Sequence, residues 1–205
     1  LGDRVLGSER GGLNFLYAGA MNMILGEVLE RPISKEQILE KYLNLESDPR
    51  FRDFAGKIEI NEYGDLLVNA ASRLHVLVQK RLARYLEDKL GGEAIAEMPI
   101  EVRVQQGNAI RLRVPDIVWS ATPAFFEGPP ELKVLPRPPE LCVEVKSDSN
   151  TLKDMREKRD ELLAMGANEV WFIFPERREA EFYGQEGKRG ASQFGVDLTE
   201  FWLTY

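Results

Sequence analysis

Cysteine and histidine are almost missing from this 205-residue chain, which has one of each, Cys142 and His75. A lone cysteine forms no intramolecular disulfide, and inside the apolar run Leu141-Cys142-Val143 it reads as a small buried hydrophobe. That favours a reducing, cytoplasmic setting. One cysteine and one histidine are also too few for a structural zinc site or a Cys/His catalytic pair, so any metal must be held by oxygen ligands. Long hydrophobic runs are lacking too. The best, Ile110 to Trp119, is interrupted by two arginines and falls well short of the ~20 residues a membrane span needs, so a soluble protein without a membrane partner is expected. Positive charge is in deficit: 27 Lys and Arg stand against 34 Asp and Glu, a net charge of -7. Phosphate contacts come from lysine and arginine, so nothing global attracts a polyanion, and nucleic-acid binding needs a local basic surface. Candidates are Lys80, Arg81 and Arg84 on one predicted helix and Lys153, Arg156, Lys158 and Arg159 on another. The alternative is that both are solvated faces balanced by Glu87, Asp88, Glu157, Asp160 and Glu161.

The chain that is present has the length and apolar content of one well-filled globular domain. Residues 1–20 are glycine-rich and without period, and Met21 or Met23 follows as a candidate start, so this stretch is expected to be upstream or non-native sequence. It has no basic segment before a long apolar core, and no secretory signal is expected. Residues 1–50 are assigned to an extension and a short helix, and 51–205 to the main domain. Ser34 and Gln37 form a capping box ahead of Ile38, Leu39, Tyr42 and Leu43, a helix that stops near Ser47-Asp48-Pro49. Alternation from Lys57 to Val68 around Tyr63-Gly64-Asp65 predicts a hairpin. Leu74, Leu77, Val78, Leu82, Tyr85 and Leu86 recur at helical spacing from Ala70 to Leu90, where Gly91-Gly92 ends the helix. Strands follow at 94–104 and 110–119, then a proline-rich loop from Pro123 to Pro139. The strand Leu141 to Lys146, a helix opened by Thr151 and ended at Gly166, and strands at 169–174 and 179–183 complete the pattern. Strand, helix, strand implies a crossover between parallel neighbours. The expected fold class is α/β (α+β), with one mixed central sheet flanked by helices.

Two short stretches carry charge where apolar residues are expected. Pro115-Asp116 sits inside the run 110–119, and Glu144 and Lys146 alternate with Val143 and Val145. In a strand, residues two apart share a face, so Glu144 and Lys146 point one way and the valines the other. Such charges are costly unless paired or bound to a cation. An Asp-Lys-Glu ion-pair cluster at the end of a sheet is one reading, and a cation site is the other. His75 lies close to the apolar stripe of its helix, where a histidine is commonly a core-edge group with one nitrogen satisfied. Glu59 and Glu62 of the hairpin could also approach, though spacing does not single them out. Trp119 and Trp171 read as core aromatics.

At these residues the chain resembles the Uma-two-type restriction endonuclease family of the PD-(D/E)xK nuclease superfamily. The resemblance rests on Arg113-Val114-Pro115-Asp116-Ile117, on Pro139-Glu140-Leu141-Cys142-Val143-Glu144-Val145-Lys146-Ser147, and on Asp154, Lys158, Gly166, Val170-Trp171 and Pro175. It spans about Asp53 to Tyr183 and includes His75, where that family usually has a histidine opening its first core helix. Each motif alone is weak; their order and strand context make the match. The resemblance implies a restriction-endonuclease-like fold and a metal-dependent DNA endonuclease. Many relatives lack a lysine at the position of Lys146 and rely on one from the following helix. This chain has both Lys146 and Lys158, and spacing favours Lys146.

The chemistry follows from that resemblance. A phosphodiester repels hydroxide, so its hydrolysis needs a cation on the phosphate and an activated water. Asp116, Glu144 and the Val145 carbonyl would hold magnesium or manganese, which prefer hard oxygen ligands. Lys146 would position or deprotonate the water and offset charge in the transition state, with His75 and Lys158 in support. DNA is the expected substrate, and double-strand cutting calls for a homodimer. A nucleic-acid-binding or regulatory module that keeps the fold without cutting is the alternative function, and a structural protein whose carboxylates only bind an ion is a third.

Overall fold

The computed structural model describes residues 23–25, 31–45, 48–49, 51, 56–70, 72–104, 109–127 and 133–203. The expectation for residues 1–20 lies outside them. Strand β1 (Met23–Leu25) precedes helix α1 (Lys35–Leu45), which starts at the capping box: Gln37 N–H donates to Ser34 Oγ at 3.2 Å and Ser34 N–H to Gln37 Oε1 at 2.9 Å. The hairpin of β2 (Gly56–Ile60) and β3 (Leu66–Ala70) forms as expected. Its turn is organised by Asn61, whose Oδ1 accepts the N–H groups of Tyr63 and Asp65, and Gly64 takes the left-handed φ of 82° that the turn requires.

Helix α2 (Arg73–Leu90) begins three residues later than its sequence pattern suggests, because 66–70 remain in the hairpin and Ser72 caps the helix by accepting from His75 N–H. Val78, Leu82 and Leu86 are fully buried, whereas Leu74 and Leu77, expected on the same stripe, are 40% and 41% exposed. In the first turn of α2 the buried side chain is His75 instead.

The two long strands expected at 94–104 and 110–119 are each cut in two. The first becomes β4 (Glu93–Ala96) and β5 (Ile100–Arg103), separated at Glu97, whose φ is 56°, and at Pro99. The second becomes β6 (Ile110–Arg113) and β7 (Ile117–Ser120), separated at Pro115, which has no N–H to give a ladder. Each break moves the chain from one sheet to another, so the single mixed sheet becomes two. Among the described residues, the order is β1-β3-β2-β6-β5 in the smaller sheet. After a 3-10 turn at Pro123–Phe125 come β8 (Leu141–Val145), helix α3 (Leu152–Ala164), β9 (Glu169–Phe174), β10 (Glu179–Gly184), β11 (Gly187–Arg189) and helix α4 (Thr199–Leu203). The larger sheet runs β11-β10-β9-β8-β7-β4, with β8 and β9 parallel across α3 as the crossover pattern predicts.

Alternation sorts the larger sheet's side chains onto two faces. Leu141, Val143 and Val145 of β8 join Trp171 and Ile173 of β9 under α2 and Phe201 of α4. Cys142, Val170 and Phe172 face α3 with Met155 and Leu162. A fully buried side chain of this size contributes about 1.5–3 kcal/mol, so α2 and α3 are clamped to opposite faces. Trp119 and Trp171 are core residues as expected, their indole N–H groups donating to the Gly91 carbonyl and to Glu169. A third cluster, with Ile38, Ile60, Leu66 and Leu112, packs α1 on the smaller sheet. Among the described residues, no helix is long and apolar enough to cross a membrane.

Candidate functional site

Asp116 stands at the break between β6 and β7, where the chain passes from one sheet to the other. The register that pairs Ile117 with Val143 brings it opposite the end of β8. There its Oδ2 accepts the Val145 N–H at 2.6 Å, and its Oδ1 accepts from Lys57 Nζ at 2.6 Å and His75 Nε2 at 2.8 Å. Gln79 Nε2 donates to its backbone carbonyl at 2.7 Å. Three groups from β2, α2 and β8 therefore fix a carboxylate that is wholly buried, and Gln79 fixes its backbone.

Glu144 points to the α3 face of β8, opposite Val143 and Val145. Lys158 reaches it from α3, its Nζ 3.1 Å from Glu144 Oε1, and the same ammonium lies 2.5 Å from Glu59 Oε1 on β2. Lys57 lies 3.5 Å from Glu144 Oε2, so one ammonium touches both Asp116 and Glu144. Glu59 is held in turn by the Val114 N–H at 3.0 Å and by Arg113 at 3.1 Å. Arg113 and Arg111 then run from β6 to Glu157 and Glu161 of α3, and Arg111 also grips Glu62 with two nitrogens. This bidentate belt ties the smaller sheet to the helix that carries Lys158.

The electrostatics are those of charges removed from water and compensated by one another. Burial opposes ionisation of Asp116, yet Lys57, His75 and Lys158 outweigh it and hold its carboxyl below the usual range. Burial likewise resists the charge on Glu59, but Lys158, Arg113 and Lys57 pull its pKa down to about 2. Lys57 is desolvated, and the carboxylates of Asp116, Glu144 and Glu59 nevertheless keep its ammonium more strongly protonated than usual. Glu144 goes the other way: burial, helped by Asp116 and Glu59, raises its pKa against Lys158 and Lys57. Glu144 is the least compensated acid of the group.

Of the residues singled out in the sequence, Asp116, Glu144, His75 and Lys158 converge. Lys158 is 6% exposed and not part of a solvated basic face. Lys146 does not join them. The strand ends at Val145, Ser147 N–H turns to Asn150 Oδ1, and the Lys146 amine donates to the carbonyl of Ser147. Val145 presents its N–H to Asp116, and its carbonyl accepts from Asn150 Nδ2 at 3.2 Å. Lys57 was not foreseen and Glu59 was not distinguished from Glu62. The signal available for both was two charges at i and i+2 alternating with Ile58 and Ile60, which places them on one strand face.

A cavity of about 330 Å³ opens onto Lys57, Glu59, His75, Glu144 and Lys158; Lys146 is not among the described residues lining it, nor are Asp116 and Val145, which lie behind Lys57 and Glu144. Glu144 Oε1 is buried without a hydrogen bond, Lys158 meeting it outside hydrogen-bond geometry, and His75 Nδ1 is also bare. Two carboxylates, one with an unbonded oxygen, and a carbonyl with a second lone pair form a hard donor set of the kind that suits magnesium or manganese. Among the described residues, no group of three His, Cys, Asp or Glu side chains forms a metal cage. Water would have to complete any coordination shell.

No curated protein matches the chain. Among solved structures, one described as a putative nuclease belonging to DUF820, from Anabaena variabilis, shares the fold with a TM-score of 0.59 at 13% identity, covering 71% of this chain and 89% of that one. The model of the Uma2 family, described as "Putative restriction endonuclease", matches residues 39–202, which include Asp116, Glu144, Lys158, His75 and both site residues of β2. The chain belongs to the Uma2 family.

Proposed function

We propose that this protein is a metal-dependent DNA endonuclease that hydrolyses phosphodiester bonds at the Asp116–Glu144 site. The observation that carries the reading is the convergence of both carboxylates on one cation, the Lys57 ammonium, beside a cavity open to substrate. Family membership and a nuclease as structural neighbour support the reaction class. Asp116, Glu144 and the Val145 carbonyl are the residues that would hold magnesium or manganese. A bound ion of this class polarises the phosphate and acidifies a water. Around it the chain's own groups divide the remaining tasks. His75 and the Val145 N–H orient Asp116, and Lys158 anchors Glu144 while presenting an ammonium beside it that can hold a water or meet charge developing on the phosphate. Lys158 is favoured over Lys146 because its amine is already at Glu144. Cutting both strands would take a homodimer with two such sites.

A second reading has its own observation. Lys57 with Asp116 and Lys158 with Glu59 pair the charges internally, as a module that binds nucleic acid without cutting would also do. Nicking of supercoiled DNA separates the two. Magnesium- or manganese-dependent conversion to open-circle DNA, lost in Glu144→Ala and in Asp116→Asn while circular dichroism shows both folded, supports the nuclease. DNA binding without conversion by the unaltered protein favours the module.

A further inference from the structure

Lys57 has no task in the nuclease reading, yet it stands at the centre of the site. It is 7% exposed, and its ammonium lies 2.6 Å from Asp116 Oδ1 and 3.5 Å from Glu144 Oε2. These are the carboxylates assigned above to a divalent ion. Resting on that reading, we propose that Lys57 is a built-in placeholder for the metal: its ammonium fills the space between Asp116 and Glu144 in the metal-free protein and must withdraw for the ion to enter.

Three features carry this. The first is the crowding of Asp116 Oδ1, the oxygen that meets the ammonium Lys57 shares with Glu144. Oδ2 is committed to the Val145 N–H, and Oδ1 accepts both Lys57 and His75. A magnesium-class ion needs a carboxylate oxygen at ~2.0–2.1 Å, a position it cannot share with an ammonium hydrogen-bonded to that same oxygen. The second is charge. Lys158 serves Glu59 and Glu144, so removal of Lys57 leaves Asp116 with His75 as its side-chain partner and two buried carboxylates facing one another. A lysine there makes the site stable without metal. The third is room to leave. Lys57 lines the site's cavity, and Asn69, Ser147 and Ser149 line the same cavity, so a displaced ammonium has open space bordered by polar side chains. Metal entry is then an exchange of one cation for another, and the protein's own amine competes with the ion.

The test is manganese binding without DNA, followed by the electron paramagnetic resonance of free Mn²⁺, for the unaltered protein, Lys57→Met and Glu144→Gln. Loss of the competing charge should tighten Mn²⁺ binding to Lys57→Met by about tenfold or more, and Glu144→Gln should abolish binding. If the unaltered protein binds Mn²⁺ and Lys57→Met binds it equally or more weakly, the placeholder role is overturned while the nuclease reading stands. Absence of binding by both overturns the two together. Should Lys57→Met fail to fold without metal, reductive methylation of the unaltered protein, read by mass spectrometry, decides the matter. Labelling of Lys57 should be slow without metal and several-fold faster at saturating Mn²⁺; an unchanged rate overturns the proposal.

Discussion

The Lys158 ammonium lies 3.1 Å from Glu144 Oε1, although fourteen positions of sequence and a change from strand to helix separate the two residues. Lys146, two positions from Glu144, donates instead to the carbonyl of its neighbour Ser147. The amine near Glu144 is thus supplied by the helix packed on that face of the sheet. Lys146→Ala is expected to keep metal-dependent cleavage within a few-fold of the unaltered protein. Lys158→Ala is expected to lose ~10²-fold or more, the usual contribution of a positioned proton-transfer or charge-stabilising group. It also takes one buried cation from Glu59 and Glu144, leaving Arg113 with the first and Lys57 with the second, at a cost of about 3 kcal/mol, so cleavage rates belong beside thermal unfolding curves. Cleavage abolished in a folded Lys146→Ala would reverse the assignment.

Stability should fall in acid through Glu59. Its carboxyl titrates near 2 in the folded protein against an ordinary 4.5. The folded state therefore prefers the carboxylate, and the stabilisation is complete above pH 4.5 and is lost as pH drops toward 2. The difference corresponds to about 3 kcal/mol. Urea unfolding of Glu59→Gln between pH 7 and 2 should show a deficit of that order at neutral pH that shrinks through this window. A deficit independent of pH would contradict the pairing of Glu59 with Lys158 and Arg113.

His75 acts on the site through Asp116. Its Nε2 holds Oδ1 at 2.8 Å, and its backbone N–H is what Ser72 caps. His75→Ala keeps the cap and removes the ring, so α2 should form normally while Asp116 loses an orienting partner. Loss of such an outer partner costs roughly ten- to a hundredfold in metal affinity. Manganese titration should report that loss with an unchanged circular dichroism spectrum. Unaltered affinity would reduce His75 to a packing role.

Helix α3 carries Lys158, and its start depends on a reciprocal pair. Asp154 N–H donates to Thr151 Oγ1 at 3.1 Å and Thr151 N–H to Asp154 Oδ2 at 3.1 Å. Thr151→Ala should cost about 1 kcal/mol, visible as a lower Tm, and leave cleavage below the unfolding transition unchanged.

At Gly92 the backbone adopts φ 71°, and an added Cβ would lie 2.2 Å from the Ser120 carbonyl oxygen. That oxygen belongs to β7 where it pairs with β4, so it has no freedom to retreat. Gly92→Ala should destabilise by about 2 kcal/mol or more, measured by urea unfolding. An effect below 0.5 kcal/mol, the range of ordinary surface changes, would mean the turn relaxes.

What the sequence by itself determined is local. The Ser34–Gln37 box, the turn at Gly64 and the stop at Gly91 depend on contacts within a few residues, and the facing of Glu144 away from Val143 and Val145 follows from the two-residue period of a strand. The same period puts Lys57 and Glu59 on one face of β2, a signal the sequence reading leaves unused, and a face says nothing of what lies across from it. Tertiary structure decided that Lys57 meets Asp116, that Lys158 and not Lys146 meets Glu144, and that the two long strands divide between two sheets at Pro99 and Pro115. Those outcomes depend on how separate elements cross. A buried charge takes whichever opposite charge the packed core brings within reach, and distance along the chain does not enter that choice.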